Sequence, residues 1–114
     1  MSIAVEKTPL EGLLIVRPRV FKDARGFFFE SYNRDAFVAA GIDIPFVQDN
    51  HSRSSQGTLR GLHFQTSPGQ AKLVRCTLGA IWDVAVDIRP GSSTFGKHFG
   101  IELRPEDEIG RAHV

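Results

Sequence analysis

The chain has 114 residues, of which 41% are apolar and 24% charged, with a formal net charge of +1. Such a length and balance fit one globular domain rather than a disordered chain, and near-neutrality removes any strong field for nucleic acid or a membrane surface. The single cysteine, Cys76, excludes an intrachain disulfide and fits a reducing compartment.

The N-terminal "MSIAVEKTPLEGLLIV" carries Glu6 and Lys7 early and has no long apolar core. It is not expected to act as a signal peptide, and no stretch is long enough to span a bilayer. A cytoplasmic protein is therefore expected. "GLLIVRPRVF" (12–21) predicts a strand ended by Pro18, and "KDARG" (22–26) a turn built on Asp23 and Gly26. "FFFESY" (27–32) is an aromatic strand. "NRDAFVAAG" (33–41) predicts the one helix, near 33–40, with Asn33 as N-cap and Gly41 as stop. "IPFVQDNHS" (44–52) and "TLRGLHFQ" (58–65) read as further strands, followed by a loop at 66–70. "AKLVRCTL" (71–78), "AIWDVAVDI" (80–88) and "HFGIEL" (98–103) complete the set, with a Pro/Gly/Ser turn region between the last two. Short strands with turn signals about every ten residues predict an all-β sandwich or barrel.

Side chains alternate across a strand. Leu59, Gly61, His63 and Gln65 share one face of their segment; Lys72, Val74 and Cys76 share one face of theirs; Ile81, Asp83, Ala85 and Asp87 oppose Trp82, Val84 and Val86. Polar groups thus recur inside runs that are apolar on both faces, the pattern of a small barrel whose interior is partly a binding cavity.

His63 admits three readings. The commonest for such a residue is a neutral core histidine bonded to a backbone carbonyl. A metal ligand would need partners, yet "HFQ" places Gln65 where a second inward histidine would stand, and His51, His98 and His113 are scattered. A general base fits because imidazole titrates near neutrality, with Lys72 and Arg60 available to neutralise a developing oxyanion. Arg60 and His63 have opposite parity, so one shared cavity requires a bulge at Gly61 or Arg60 at the barrel mouth. Gln48, Asn50 and His51 are either a hydrated strand end or donors and acceptors for a polar ligand such as a sugar. Arg25, Phe28 and Glu30 are either solvated edge-strand residues or an aromatic face with polar edges for a nucleobase and phosphate. Asp87, next to "RPG", serves as a turn cap, whereas Asp83 lies where Trp82 and Val84 predict burial.

Four stretches together carry a resemblance: "VFKDARGFFFESYN", "FVQDNHSRSSQGTLRGLHFQ", "KLVRCTLGAIWDVAVDIRPGSSTFGK" and "GIEL". They are similar to the dTDP-4-dehydrorhamnose 3,5-epimerases, enzymes with a cupin-type jelly-roll barrel. The likeness runs from near the N-terminus to Leu103, with Ser93 where many members have proline. It implies His63 as the base that removes protons beside the C4 ketone, and Lys72 as the partner of the enolate oxygen. Arg60 would hold the substrate, Gln48 and Asn50 would contact the sugar nucleotide, and Arg25, Phe28 and Glu30 would meet the nucleotide. It further implies a dTDP-linked 4-keto-6-deoxy sugar as substrate, no metal and no cofactor, and a homodimer in which 25–30 lies near the partner's site.

The family pattern continues past "GIEL" for several strands that carry the proton-donating tyrosine and the carboxylate partner of the histidine. This chain instead reads "RPEDEIGRAHV". The expected organisation is thus an incomplete cupin-like barrel: 1–103 as the N-terminal part of one domain, and 104–114 as a polar tail without strand periodicity. A mono-epimerase or isomerase of a related keto sugar nucleotide, a non-catalytic sugar-nucleotide-binding barrel and a small metal-binding cupin are the competing readings.

Overall fold

A computed structural model describes residues 3–105 and 110–113. Eight strands and one helix follow in order: β1 (Ile3–Lys7), β2 (Leu13–Pro18), β3 (Val20–Asp23), β4 (Gly26–Phe29), α1 (Arg34–Ala39), β5 (Lys72–Arg75), β6 (Ile81–Val86), β7 (His98–Leu103) and β8 (Gly110–His113). They form a four-stranded sheet of order β1-β2-β8-β5 and two antiparallel pairs, β3-β4 and β6-β7. Every pairing is antiparallel.

β2 is the spine of the larger sheet because its run "LLIV" is apolar on both faces. Leu13 and Ile15 are buried on one side and Val16 on the other, as a strand covered on both faces requires. Pro18 has no N–H to continue the ladder, and after Arg19 the chain leaves for the β3-β4 pair.

The helix is held by its ends. Asn33 Oδ1 accepts the Ala36 N–H at 3.0 Å, which satisfies one of the helix's otherwise orphaned donors. At the other end Gly41 N–H donates to Val38 O at 3.0 Å and Ile42 N–H to Phe37 O at 2.8 Å. This paired arrangement closes a helix and brings the residue after it onto the last turn. Ile42 and Phe37 are both fully buried and pack with Val16, while Ile3, Val5, Leu14, Tyr32, Phe46 and Leu73 surround them. The Tyr32, Phe37 and Phe46 rings meet edge to face, with Tyr32–Phe37 at 4.7 Å and Tyr32–Phe46 at 5.3 Å. One face of the larger sheet therefore carries the helix and an aromatic cluster.

The loop between β6 and β7 is organised by one anion. Asp87 is only 5% exposed. Its carboxylate accepts from the Arg89 N–H, Nε and Nη2 at 3.0 Å each, and from Ser92 Oγ and Thr94 Oγ1 at 2.6 Å each. Asp87 is thus the turn cap that its place beside "RPG" suggested. Hydrogen bonds from the Arg89 side chain first, then from Ser92, Thr94 and the Arg89 backbone, hold its carboxyl far below the usual carboxylate range. A depressed folded-state pKa contributes stability that is complete above the unfolded value, roughly 3.9, and is lost as pH falls below it. The thermal midpoint of the chain should therefore drop below about pH 4. Asp87→Asn should start lower at neutral pH and decline less steeply in acid. Parallel curves for the two proteins would show that this network does not carry the acid sensitivity.

The sequence reading differs from the structure at several places. β1 has no counterpart in it. Residues 104–114, read as a tail without strand periodicity, supply β8, which pairs with β2 through Leu13↔His113 and with β5 through Lys72↔His113. Backbone ladders need no apolar alternation, so "GRAH" is a strand by position rather than by composition. Conversely, 44–52 and 58–65 have strand-like sequences but form no strand, because among the described residues none pairs with them. Finally, Trp82 is 68% exposed rather than buried beside Asp83. Its ring lies across Gly100, where an added Cβ would come within 2.4 Å of the indole, so a side chain there requires the exposed Trp82 ring to move aside.

Candidate active site

The hairpin β3-β4 sets out the first group of candidate residues. Its turn is fixed by Asp23, whose carboxylate accepts the Arg25 N–H at 2.8 Å and Arg25 Nη2 at 2.6 Å. Arg25 beside it holds the Asp23 carboxyl below its ordinary range, and Asp23 in turn raises Arg25. Phe27 and Phe29 share a face, stacked with centroids 5.9 Å apart, and close a small apolar cavity against Val16, Pro18 and Leu73. Phe28 points the other way, 61% exposed, and is paired in register with Phe21. Both rings border a groove that also takes in Lys22 and Arg25, and Arg19 sits over the Phe21 ring at 4.9 Å. Two exposed rings flanked by Arg19 and Lys22, with Arg25 paired to the Asp23 carboxylate in the same groove, form a surface suited to stacking a planar base beside cationic groups. Phe21 is not singled out in the sequence reading, whereas Arg19, with Arg53 and Arg75, reads as a surface or phosphate-side charge. The register of a hairpin turning at Asp23–Gly26 was the available signal, since it places residue 21 opposite residue 28. Glu30 is half-buried just beyond β4.

The second group lies on the long connection between α1 and β5 and at the start of β5. Gln48 Nε2 donates to Asn50 Oδ1 at 3.3 Å, and Arg60 Nε to Ser54 Oγ at 2.8 Å. His63, Arg60 and Lys72 are all exposed. This removes the packed-core reading of His63. Gly61 has φ +95°, a backbone geometry that breaks ideal strand alternation, so the parity objection to Arg60 and His63 sharing a side does not hold. The His63 ring folds back over Gly61, with Nδ1 3.4 Å from where a Cβ would stand. Among the described residues no hydrogen bond joins His63 to Arg60, Lys72 or a carboxylate. The structure brings Arg25 and Phe28 onto one groove and ties Gln48 to Asn50, but does not link the base to its oxyanion partner.

Charge is unevenly spread. Residues 50–82 contain Arg53, Arg60, Lys72 and Arg75 and no Asp or Glu, in a chain whose net charge is only +1. An uncompensated basic stretch around an exposed imidazole favours an anionic ligand. Tyr32, the chain's one tyrosine, is committed to the core against Phe37 and Phe46 and is not available as an acid there. Among the described residues no group of three or more His, Cys, Asp or Glu is placed to hold a metal ion, and no helix is long and apolar enough to cross a membrane.

The antiparallel strands and the single short helix are those of part of a cupin-type jelly roll of the sugar-nucleotide epimerase class. The dTDP-4-dehydrorhamnose 3,5-epimerase family profile matches residues 7–110, and the chain belongs to that family. It is 57% identical over 106 residues to the dTDP-4-dehydrorhamnose 3,5-epimerase of Escherichia coli, covering 91% of this chain and 57% of that protein. Among solved structures, the epimerase of Bacillus anthracis with TDP and PPi bound superposes with a TM-score of 0.94 at 40% identity, over 99% of this chain and 66% of that one. The Legionella pneumophila dTDP-6-deoxy-D-glucose-3,5-epimerase, in complex with dTDP-4-keto-L-rhamnose, gives 0.92 at 43% identity, over 97% of this chain and 60% of that one. The chain therefore spans a little over half the length of the curated relative it matches.

Proposed function

We propose that this chain provides the base-bearing part of an epimerase acting at C3 and C5 of dTDP-4-dehydro-6-deoxy-D-glucose, giving dTDP-4-dehydro-L-rhamnose in dTDP-L-rhamnose biosynthesis. The observation that carries the proposal is family membership over 7–110, a span that contains "RGLHFQ" and "KLVRC" with His63 and Lys72. A proton next to a ketone becomes removable only when the enolate is stabilised. In this reading His63 takes the proton, Lys72 neutralises the oxygen and Arg60 holds the sugar. Gln48 and Asn50 bind its hydroxyls, and Arg25, Phe28 and Glu30 receive the nucleotide. The chemistry moves protons only, so it requires no redox group. Residues 1–103 then form the N-terminal part of one cupin-like domain working in the cytoplasm, as a homodimer whose 25–30 segment approaches the partner's site.

Inversion also needs a proton donor on the opposite face of the sugar, and Tyr32 is held in the core. That placement supports a second reading, in which the chain binds the sugar nucleotide without turning it over; a mono-epimerase lies between the two. Incubation with the 4-keto sugar nucleotide in deuterated water separates them. Exchange at C3 and C5 is the expected result. Exchange at one carbon would assign a mono-epimerase, and none at either would leave only binding.

A further inference from the structure

The β3-β4 hairpin presents two guanidinium groups that are held in different ways. At its turn, Arg25 Nε and Nη2 both donate to Asp23 Oδ2, at 3.2 and 2.6 Å. That pairing matches the charge of Arg25 and occupies two of its donors. Arg19, exposed just before β3, is instead placed by a ring: its guanidinium carbon lies 4.9 Å from the Phe21 centroid. Stacking engages the face of a guanidinium, whereas its N–H donors lie at the edge, where stacking does not use them. The register sets Phe21 opposite Phe28, so the two rings stand side by side on one face of the hairpin. Arg19 joins that face through its stack on Phe21.

We infer that Arg19 is a phosphate-binding residue for the nucleotide and that Phe21 is the positioning residue that holds it. The inference rests on the reading that Phe28 and its neighbours receive dTDP. A base stacked on Phe28 leaves its phosphates to run along the same face. A carboxylate bonded to a guanidinium cancels much of the field that would draw an anion, and Asp23 does this to Arg25. Among the described residues no carboxylate does so to Arg19. Its stack on Phe21 also fixes the guanidinium before the ligand arrives, which lowers the ordering cost of binding. Arg25 then orders the turn and meets the nucleotide with the donors that Asp23 leaves it, while Arg19 supplies the charge.

The test is calorimetric titration of the whole chain with dTDP and with thymidine. Arg19→Ala is expected to weaken dTDP binding by about tenfold or more, the loss for one hydrogen-bonded charge contact. Thymidine, which has no phosphate, should change by less than about twofold. Phe21→Leu keeps the apolar bulk of the hairpin and removes the ring. It should weaken dTDP by about two- to fivefold and have no further effect once Arg19 is alanine. Lys22→Ala removes the same charge from the same groove and should weaken dTDP by less than about threefold, because a field alone acts weakly across water. Parental dTDP affinity in Arg19→Ala would overturn the inference. So would equal losses in Arg19→Ala and Lys22→Ala, or additive losses in the double variant. In each of these cases the parent still binds dTDP, so the nucleotide reading survives. A parent chain without dTDP affinity would overturn both, and neither titration depends on turnover.

Discussion

Phe37→Ala is expected to remove the cooperative thermal transition of this chain or lower its midpoint by about 15 °C or more. Phe37 is fully buried, and it joins the helix to β2 through Val16, to the residue after the helix through Ile42, and to the aromatic pair Tyr32 and Phe46. Truncating a buried phenylalanine costs about 3–5 kcal/mol, from lost transfer energy and from the cavity left behind. A domain of this size is stabilised in total by about 5–15 kcal/mol. The loss is then a large share of the whole. Val47→Ala, at a position 90% exposed, is the matched control and should move the midpoint very little. Differential scanning calorimetry of both variants decides the matter: a midpoint for Phe37→Ala within a few degrees of the parent would show that stability resides elsewhere.

Local signals were legible in the sequence, and long-range pairing was not. The helix announced itself through Asn33 and Gly41, both within one short window. The Asp23 turn and the Asp87 cap were equally local, since in each case the carboxylate bonds residues two to seven positions away. β8 could not be read, because "GRAH" has no alternation and is a strand only by virtue of lying between β2 and β5. The opposite failure occurred at 44–65, where composition encodes strands but a strand exists only in a ladder. The same limit governed the site. The residue types and the motif around His63 were readable, yet burial, the folding of the ring over Gly61 and the lack, among the described residues, of a bonded carboxylate depend on what stands opposite. Phe21 belongs to the same class: its place opposite Phe28 follows from the register of the hairpin and not from its own neighbours in sequence.

Replacing His63 by alanine is expected to lower the rate of deuterium incorporation next to the C4 ketone by about 10²- to 10⁴-fold, the range for loss of a positioned general base. Lys72→Ala should lower it by about 10²- to 10³-fold, as for loss of one group aimed at a developing oxyanion. Neither substitution should unfold the chain. Both side chains are exposed and neither contributes to the Phe37 cluster, so the thermal midpoints should stay close to the parent's. The two roles also differ in what they leave behind. On the proposed roles, removing the imidazole takes away the proton acceptor, whereas removing the ammonium leaves the base in place and makes only the enolate less stable. Nuclear magnetic resonance of the sugar in deuterated water reads both rates, and binding of dTDP by calorimetry separates chemistry from affinity. Nucleotide affinity should be unchanged by His63→Ala, since the rings and cations of the β3-β4 groove lie on another element. Incorporation that persists at the parental rate in His63→Ala would remove this histidine from the reaction and shift attention to a base outside "RGLHFQ".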